Sequence, residues 1–159
     1  MKILLPIDES SCSSAAVQTV IQQFRPEDAE VRVLHVDEWP KDLPTSLAFS
    51  EGPSAAQQIV TLHEERCRRH RALVGAAARR LEAARFHATT ELREGDARHG
   101  ILDAAAAWKP DLIVLGSHGR RGVARFLLGS VSDNVVRHAA CSVQIVRDGD
   151  GTSGADTVR

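Results

Sequence analysis

Residues 112–132 read LIVLGSHGRRGVARFLLGSVS. The run opens on Leu112, Ile113, Val114 and Leu115, a short apolar stretch of the kind that forms a strand buried on both faces. Gly116 and Gly119 follow at once, and Gly129 and Ser130 then stand at the head of a segment with helical apolar spacing. A strand, a glycine-punctuated loop and a helix start make a candidate anion site. Glycines let backbone N–H groups approach phosphate oxygens, and the helix start adds unpaired donors and the positive end of its dipole. Ser130 and Ser132 add hydroxyls, while Arg120, Arg121 and Arg125 bring positive charge into the loop. The pattern is not G-x-x-x-x-G-K-[ST], since no Gly-Lys-Ser/Thr occurs in the chain, and it is not G-x-G-x-x-G. Taken alone, such glycines are equally well read as turn chemistry.

The chain has 159 residues, enough for one domain with a real core. A formal net charge of −1 gives no electrostatic reason to expect nucleic acid or a membrane as partner. Aromatic residues are only 4% with no Tyr, which argues against a base-stacking platform. The N-terminal apolar stretch is too short for a signal peptide, and no run approaches the ~20 residues that span a bilayer. A cytoplasmic location is expected. Cys12, Cys67 and Cys141 are odd in number and far apart, fitting neither a disulfide framework nor a C-x-x-C zinc site.

Residues 3–7 read as the first strand, with Pro6 marking where pairing stops. Asp8 follows, and Ser10 or Ser11 caps a helix whose apolar face is Val17, Val20, Ile21 and Phe24. Residues 30–36 give a second strand, with Val31, Val33 and His35 on one face, and 37–54 a long polar connection. Residues 55–84 form the longest helical pattern, with Val60, Cys67, Val74 and Leu81 seven apart. His63, Cys67 and His70 fall at i, i+4 and i+7, a thinkable metal triad, but packing against the sheet accounts for these positions better, and no metal site is assigned. Residues 86–92 are a polar third strand suited to an edge. After Gly95 and Asp96 a helix runs through Ile101, Leu102, Ala105 and Trp108. The last helix carries Val131, Val135, Val136 and Ala139, residues 142–146 form a fifth strand, and 148–159 read as a disordered tail after a single domain over 1–147.

Strands alternating with helices call for a three-layer α/β/α domain around a parallel sheet. In such sheets ligands bind beyond the carboxyl ends of the strands, where strand order reverses. The most apolar strands, the first and fourth, belong at the centre, so Asp8 and Gly116 flank one crevice. Asp8 is then placed to accept from a ribose hydroxyl while the glycine loop holds phosphate. Asp8 as a helix-capping acid is the plainer alternative, and both roles can coexist.

Pro6-Ile7-Asp8-x-Ser10, Gly95-Asp96, Asp111 to Gly119 and above all Gly116-x2-Gly119-x9-Gly129-Ser130 resemble the universal stress protein family, in particular its ATP-binding branch. The resemblance covers residues 1 to about 147. It implies a five-stranded parallel sheet of order 3-2-1-4-5, the adenine nucleotide α-hydrolase-like fold. It implies ATP or AMP as ligand, with Mg²⁺ as an ion that can accompany it. Pro6 and Asp8 would lie at the ribose, and the Val36 backbone would pair with the adenine edge. Gly116, Gly119, Gly129 and Ser130 would line the phosphates, with Arg120, the Val131 backbone and Ser132 in support. The family also implies a homodimer joined through the last strand, here Val143 to Val146. Glu9 departs from the pattern, standing where many members have Gly; it can repel a triphosphate or help hold Mg²⁺.

The leading functional expectation is a nucleotide-binding regulator of a stress response that does not turn nucleotide over efficiently. His118, Glu9 and Asp133 are near the site in sequence but form no recognisable catalytic arrangement, and hydrolysis needs a group to position water. A slow Mg²⁺-dependent ATP hydrolase and a nucleotide-independent, chaperone-like dimer are the alternatives, since fold alone does not fix function.

Overall fold

The computed structural model describes residues 1–38, 53–118 and 128–148. Five strands form one parallel sheet: β1 (Lys2–Pro6), β2 (Glu30–Asp37), β3 (His87–Glu94), β4 (Leu112–Gly116) and β5 (Ser142–Val146). Their order is β3-β2-β1-β4-β5, as the resemblance implies. Four helices connect them: α1 (Ser11–Gln23), α2 (Pro53–Ala83), α3 (Ala97–Trp108) and α4 (Ser130–His138).

Alternation along the strands builds two cores. Ile3 and Leu5 of β1, Val31 and Val33 of β2 and Leu112 and Val114 of β4 meet Val17 and Val20 of α1 and Val74 and Leu81 of α2 on one face. Leu4, Leu34, Val36, Ile113 and Leu115 point the other way, onto Ile101 and Ala104 of α3 and Val135 of α4. The three layers thus follow from period-two patterning and two amphipathic helix pairs. Polar β3 sits at an edge of the sheet, as its composition predicts.

Two sequence expectations are corrected. β2 runs one residue further than expected and β3 two further, because the strands stay in register to Asp37 opposite Glu94. The heptad stripe of α2 packs only in its C-terminal half: Val74 and Leu81 are buried, whereas Val60 and Leu62 are about half exposed, at 49% and 57%. The sheet ends before it can cover the first turns of so long a helix. His70 does not group with His63 and Cys67; one turn further along, it faces inward against His35, with ring centroids 4.3 Å apart. Residues 39–52 of the long connection and 149–159 of the tail lie outside the described residues.

Candidate functional site

The site begins where two strands part. β1 and β4 pair only at Ile3 opposite Leu112 and Leu4 opposite Ile113. Pro6 ends β1 and has no N–H to extend the ladder. Beyond it the sheet opens at its carboxyl edge into a cleft of about 960 Å³. Pro6, Leu34, Val36, Ile101 and Leu115 give the cleft an apolar flank. Asp8, Gly116, Gly129, Ser130, Val131 and Ser132 give it a polar one.

On the β1 side the carboxylate of Asp8 is fastened by the start of α1. Ser10 is the N-cap, its hydroxyl accepting from the Ser13 N–H at 3.2 Å. Asp8 Oδ1 in turn accepts from the Ser10 N–H at 3.0 Å, the Ser13 hydroxyl at 2.7 Å and the Ser10 hydroxyl. Asp8 is therefore not the cap but is held by it. This fixes its side chain on the cleft wall.

The β4 side is built differently. Gly116 is needed for packing, since a Cβ there would lie 2.7 Å from Cys12 Cβ and 3.0 Å from the Cys12 carbonyl carbon in the first turns of α1. The Ser117 N–H continues to Val146 O of β5 at 2.7 Å, and the Ser117 carbonyl accepts from the Gly129 N–H at 2.8 Å. Ser117 and Gly129 are therefore held together. Ser132 reinforces the closure by donating its hydroxyl to Gly116 O at 2.8 Å, with Ser117 O also near at 3.2 Å. Gly129 is the N-cap of α4 and offers no side-chain cap; the Asp133 N–H makes the first bond back to Gly129 O. The N–H groups of Ser130, Val131 and Ser132 thus precede the first intrahelical bond, and the three residues line the cleft at a positive dipole end.

On the far wall the Leu34 carbonyl accepts from the Ile7 N–H at 2.8 Å, so Leu34 turns its backbone groups toward β1. In a parallel strand the residue two further on points the same way. Val36 therefore presents its N–H and C=O to the space where β1 has ended. Behind it lies a buried polar cluster. Asp37, 5% exposed, takes Arg66 Nε at 2.7 and 2.9 Å, with Arg66 Nη2 close on Oδ1, and stands 3.3 Å from His70 Nδ1. Burial works to raise the Asp37 carboxyl, but the Arg66 hydrogen bonds and the His70 and Arg66 charges hold it below its ordinary value. Burial, with the neighbouring His35, pushes His70 below the usual imidazole value despite Asp37. His35 donates Nδ1–H to the Ile7 carbonyl at 2.8 Å. At the cleft mouth Asp96 caps α3 through the N–H groups of Arg98 and His99, and the Arg98 hydrogen bond is the main cause that brings its carboxyl down to about 2.

A strand order reversing between β1 and β4, with an acid on one lip and an uncapped helix on the other, is matched by sequence. The model of the universal stress protein family covers residues 1–147. The chain belongs to that family. A universal stress protein of Methanocaldococcus jannaschii is 30% identical over 156 residues, covering 92% of this chain and 81% of that one. Universal stress protein UspA from Lactobacillus plantarum superposes with a TM-score of 0.74 at 25% identity, over 92% of this chain and 97% of the other. A family member from Arabidopsis thaliana, with AMP bound, shares the fold with a TM-score of 0.61 at 18% identity, over 98% and 97% of the two chains.

Of the residues the family pattern singled out, Pro6, Asp8, Val36, Gly116, Gly129, Ser130, Val131 and Ser132 all border the one cleft. Gly119 and Arg120 lie outside the described residues. Ser132 donates its hydroxyl to the Gly116 carbonyl, so the donor it has left is its backbone N–H. Glu9 is exposed and is not among the residues lining the cleft, though its charge acts on Arg66 and His70. His35, Glu38, Arg66 and Arg98 also line the cleft and had no signal in sequence. Arg66 stands in a charged helical stretch that reads as a solvated face, and its partner is 29 residues away.

Proposed function

We propose that this universal stress protein binds an adenine nucleotide, ATP or AMP, in the cleft between β1 and β4 and acts as a nucleotide-dependent regulator in a stress response. The observation that carries the reading is the start of α4, which has no side-chain cap and whose first three residues line a cleft with a carboxylate on its opposite lip. A phosphate would satisfy the donors of Ser130, Val131 and Ser132 and gain from the helix dipole. Asp8 would accept from the ribose hydroxyls, and the apolar flank with the Val36 backbone suits a purine ring and its hydrogen-bonding edge. The cleft volume is of the order that a bound cofactor needs. The AMP-bound Arabidopsis neighbour is similar at an identity that carries fold only, so the weight falls on the cleft itself. Mg²⁺ accompanying a triphosphate, a cytoplasmic location and the domain limits at 1–147 belong to the same proposal. Among the described residues no helix is long and apolar enough to cross a membrane.

We further propose a homodimer. β5 pairs with β4 and ends the sheet order, so its other edge, from Val143 to Val146, is open to a second copy. Sedimentation equilibrium is expected to return twice the protomer mass.

The test of the nucleotide reading is gentle purification, denaturation and mass spectrometry of whatever is released, followed by titration of emptied protein with ATP and Mg²⁺. Near-stoichiometric ATP or AMP is expected. A protein that is isolated empty and gives no titration overturns the reading.

A further inference from the structure

A second constellation of donors stands outside the cleft, at the carboxyl edge of the sheet between α2 and β3. His63 and Cys67 are one turn apart on α2, so both side chains leave the same face of the helix. The last residue of the neighbouring strand, Glu94, reaches toward them. His63 Nε2 lies 3.6 Å from Cys67 Sγ and 3.9 Å from a carboxylate oxygen of Glu94. One donor atom from each of the three residues fits within 4.8 Å of the others. We infer that His63, Cys67 and Glu94 form a binding site for a borderline-soft divalent cation, Zn²⁺ in particular.

Donor spacing supports this directly. Zinc bonds of ~2.3 Å to sulfur and ~2.0 Å to nitrogen, at a tetrahedral angle, place the two donors ~3.5 Å apart. The His63–Cys67 separation of 3.6 Å already has that value. Toward His63 the carboxylate needs to approach by about half an ångström, its distance to the Cys67 sulfur is held within 4.8 Å, and Glu94 is exposed enough to close on both by a rotamer change. One nitrogen, one sulfur and one oxygen suit Zn²⁺ or Co²⁺; Mg²⁺ and Ca²⁺ take oxygen alone. His63 and Glu94 have side chains 40% and 60% exposed, so the fourth position of a tetrahedron opens on solvent. The site is thus of the open kind, with three protein ligands and one exchangeable position. The ion would tie the half of α2 that the core does not cover to the end of β3.

The experiment uses the full chain, reduced and freed of metal, titrated with Co²⁺ alone while the near-ultraviolet and visible spectra are recorded. A saturable thiolate-to-cobalt charge-transfer band at one ion per chain is expected. Zn²⁺ should abolish it and excess Mg²⁺ should not. Cys67→Ser should remove the band, Cys141→Ser should leave it intact, and Glu94→Gln should weaken binding at least ~10-fold, a loss that even outer-shell changes can produce. A second readout needs no variant: Zn²⁺ should protect Cys67 of the unaltered protein from alkylation, as read by peptide mass mapping. No saturable band, a band that survives Cys67→Ser, competition by Mg²⁺, or Cys67 alkylation unaffected by Zn²⁺ would each overturn the assignment.

Discussion

Two helices begin on opposite lips of the same cleft, and they begin in opposite ways. α1 starts closed: Ser10 caps it, and Ser10 and Ser13 together hold Asp8. α4 starts open: Gly129 brings no side chain to its cap, and three N–H groups are left to whatever enters the cleft. A helix start capped by a side chain has fewer donors left for an anion, and here it fixes a carboxylate instead. One that is not satisfied is a receptor. The cleft therefore owes its polarity, acceptor on one lip and donors on the other, to the contrast between serines at 10 and 13 and a glycine at 129.

The contrast can be broken most severely at the contact between the lips. Gly116→Val forces side-chain carbon into Cys12 and is expected to destabilise the fold by ~2 kcal/mol, read as a lower urea midpoint with unchanged slope. Asp8→Ala strips the closed start of its acceptor and strands the donors of Ser10 and Ser13. A loss of ~1.5 kcal/mol in the same assay is expected, with weaker binding of ATP. Ser132→Ala unfastens the open start from Gly116 O, at a cost of about 1 kcal/mol.

A smaller effect sharpens the comparison by acting on the far wall and sparing both helix starts. Burial first, then His35 and Arg66, lower the affinity of folded His70 for protons, with Asp37 and Glu9 opposing. The unfolded chain then binds the proton more readily. Its contribution to stability is complete above the ordinary value of 6.5 and is lost as the pH falls below it. Asp37, itself lowered, keeps its contribution until the pH nears 3.8. Stability measured from pH 7.5 to 5.5 should therefore decline, and His70→Gln should flatten that decline.

What was legible in the sequence followed short-range pattern. The apolar runs of β1 and β4 announce central strands, and Gly116, Gly129 and Ser130 are visible because a loop between strand and helix repeats a family spacing. Ends of elements were less legible: β3 is polar apart from Ala88 and Leu92, so nothing in its composition shows that pairing continues to Glu94. The Asp37–Arg66–His70 cluster was hidden for a different reason. Its members are partners only once α2 lies on β2, and Asp37 reads as the first residue of a loop. Likewise the helical spacing of His63, Cys67 and His70 marks one face but not its neighbours, and the structure replaces His70 with Glu94 from another element.

The open start of α4 is tested most directly by closing it. Gly129 has φ −63° and ψ 154°, a conformation open to any residue and favourable for an aspartate N-cap. Isothermal titration with ATP and Mg²⁺ would compare the parent protein with Gly129→Asp, alongside urea unfolding of both. The expected result is a folded variant of equal or slightly higher stability that binds ATP at least ~10-fold more weakly, a change of ~1.4 kcal/mol or more. A folded Gly129→Asp variant that binds ATP as well as the parent would contradict the assignment of the α4 start as the phosphate receptor.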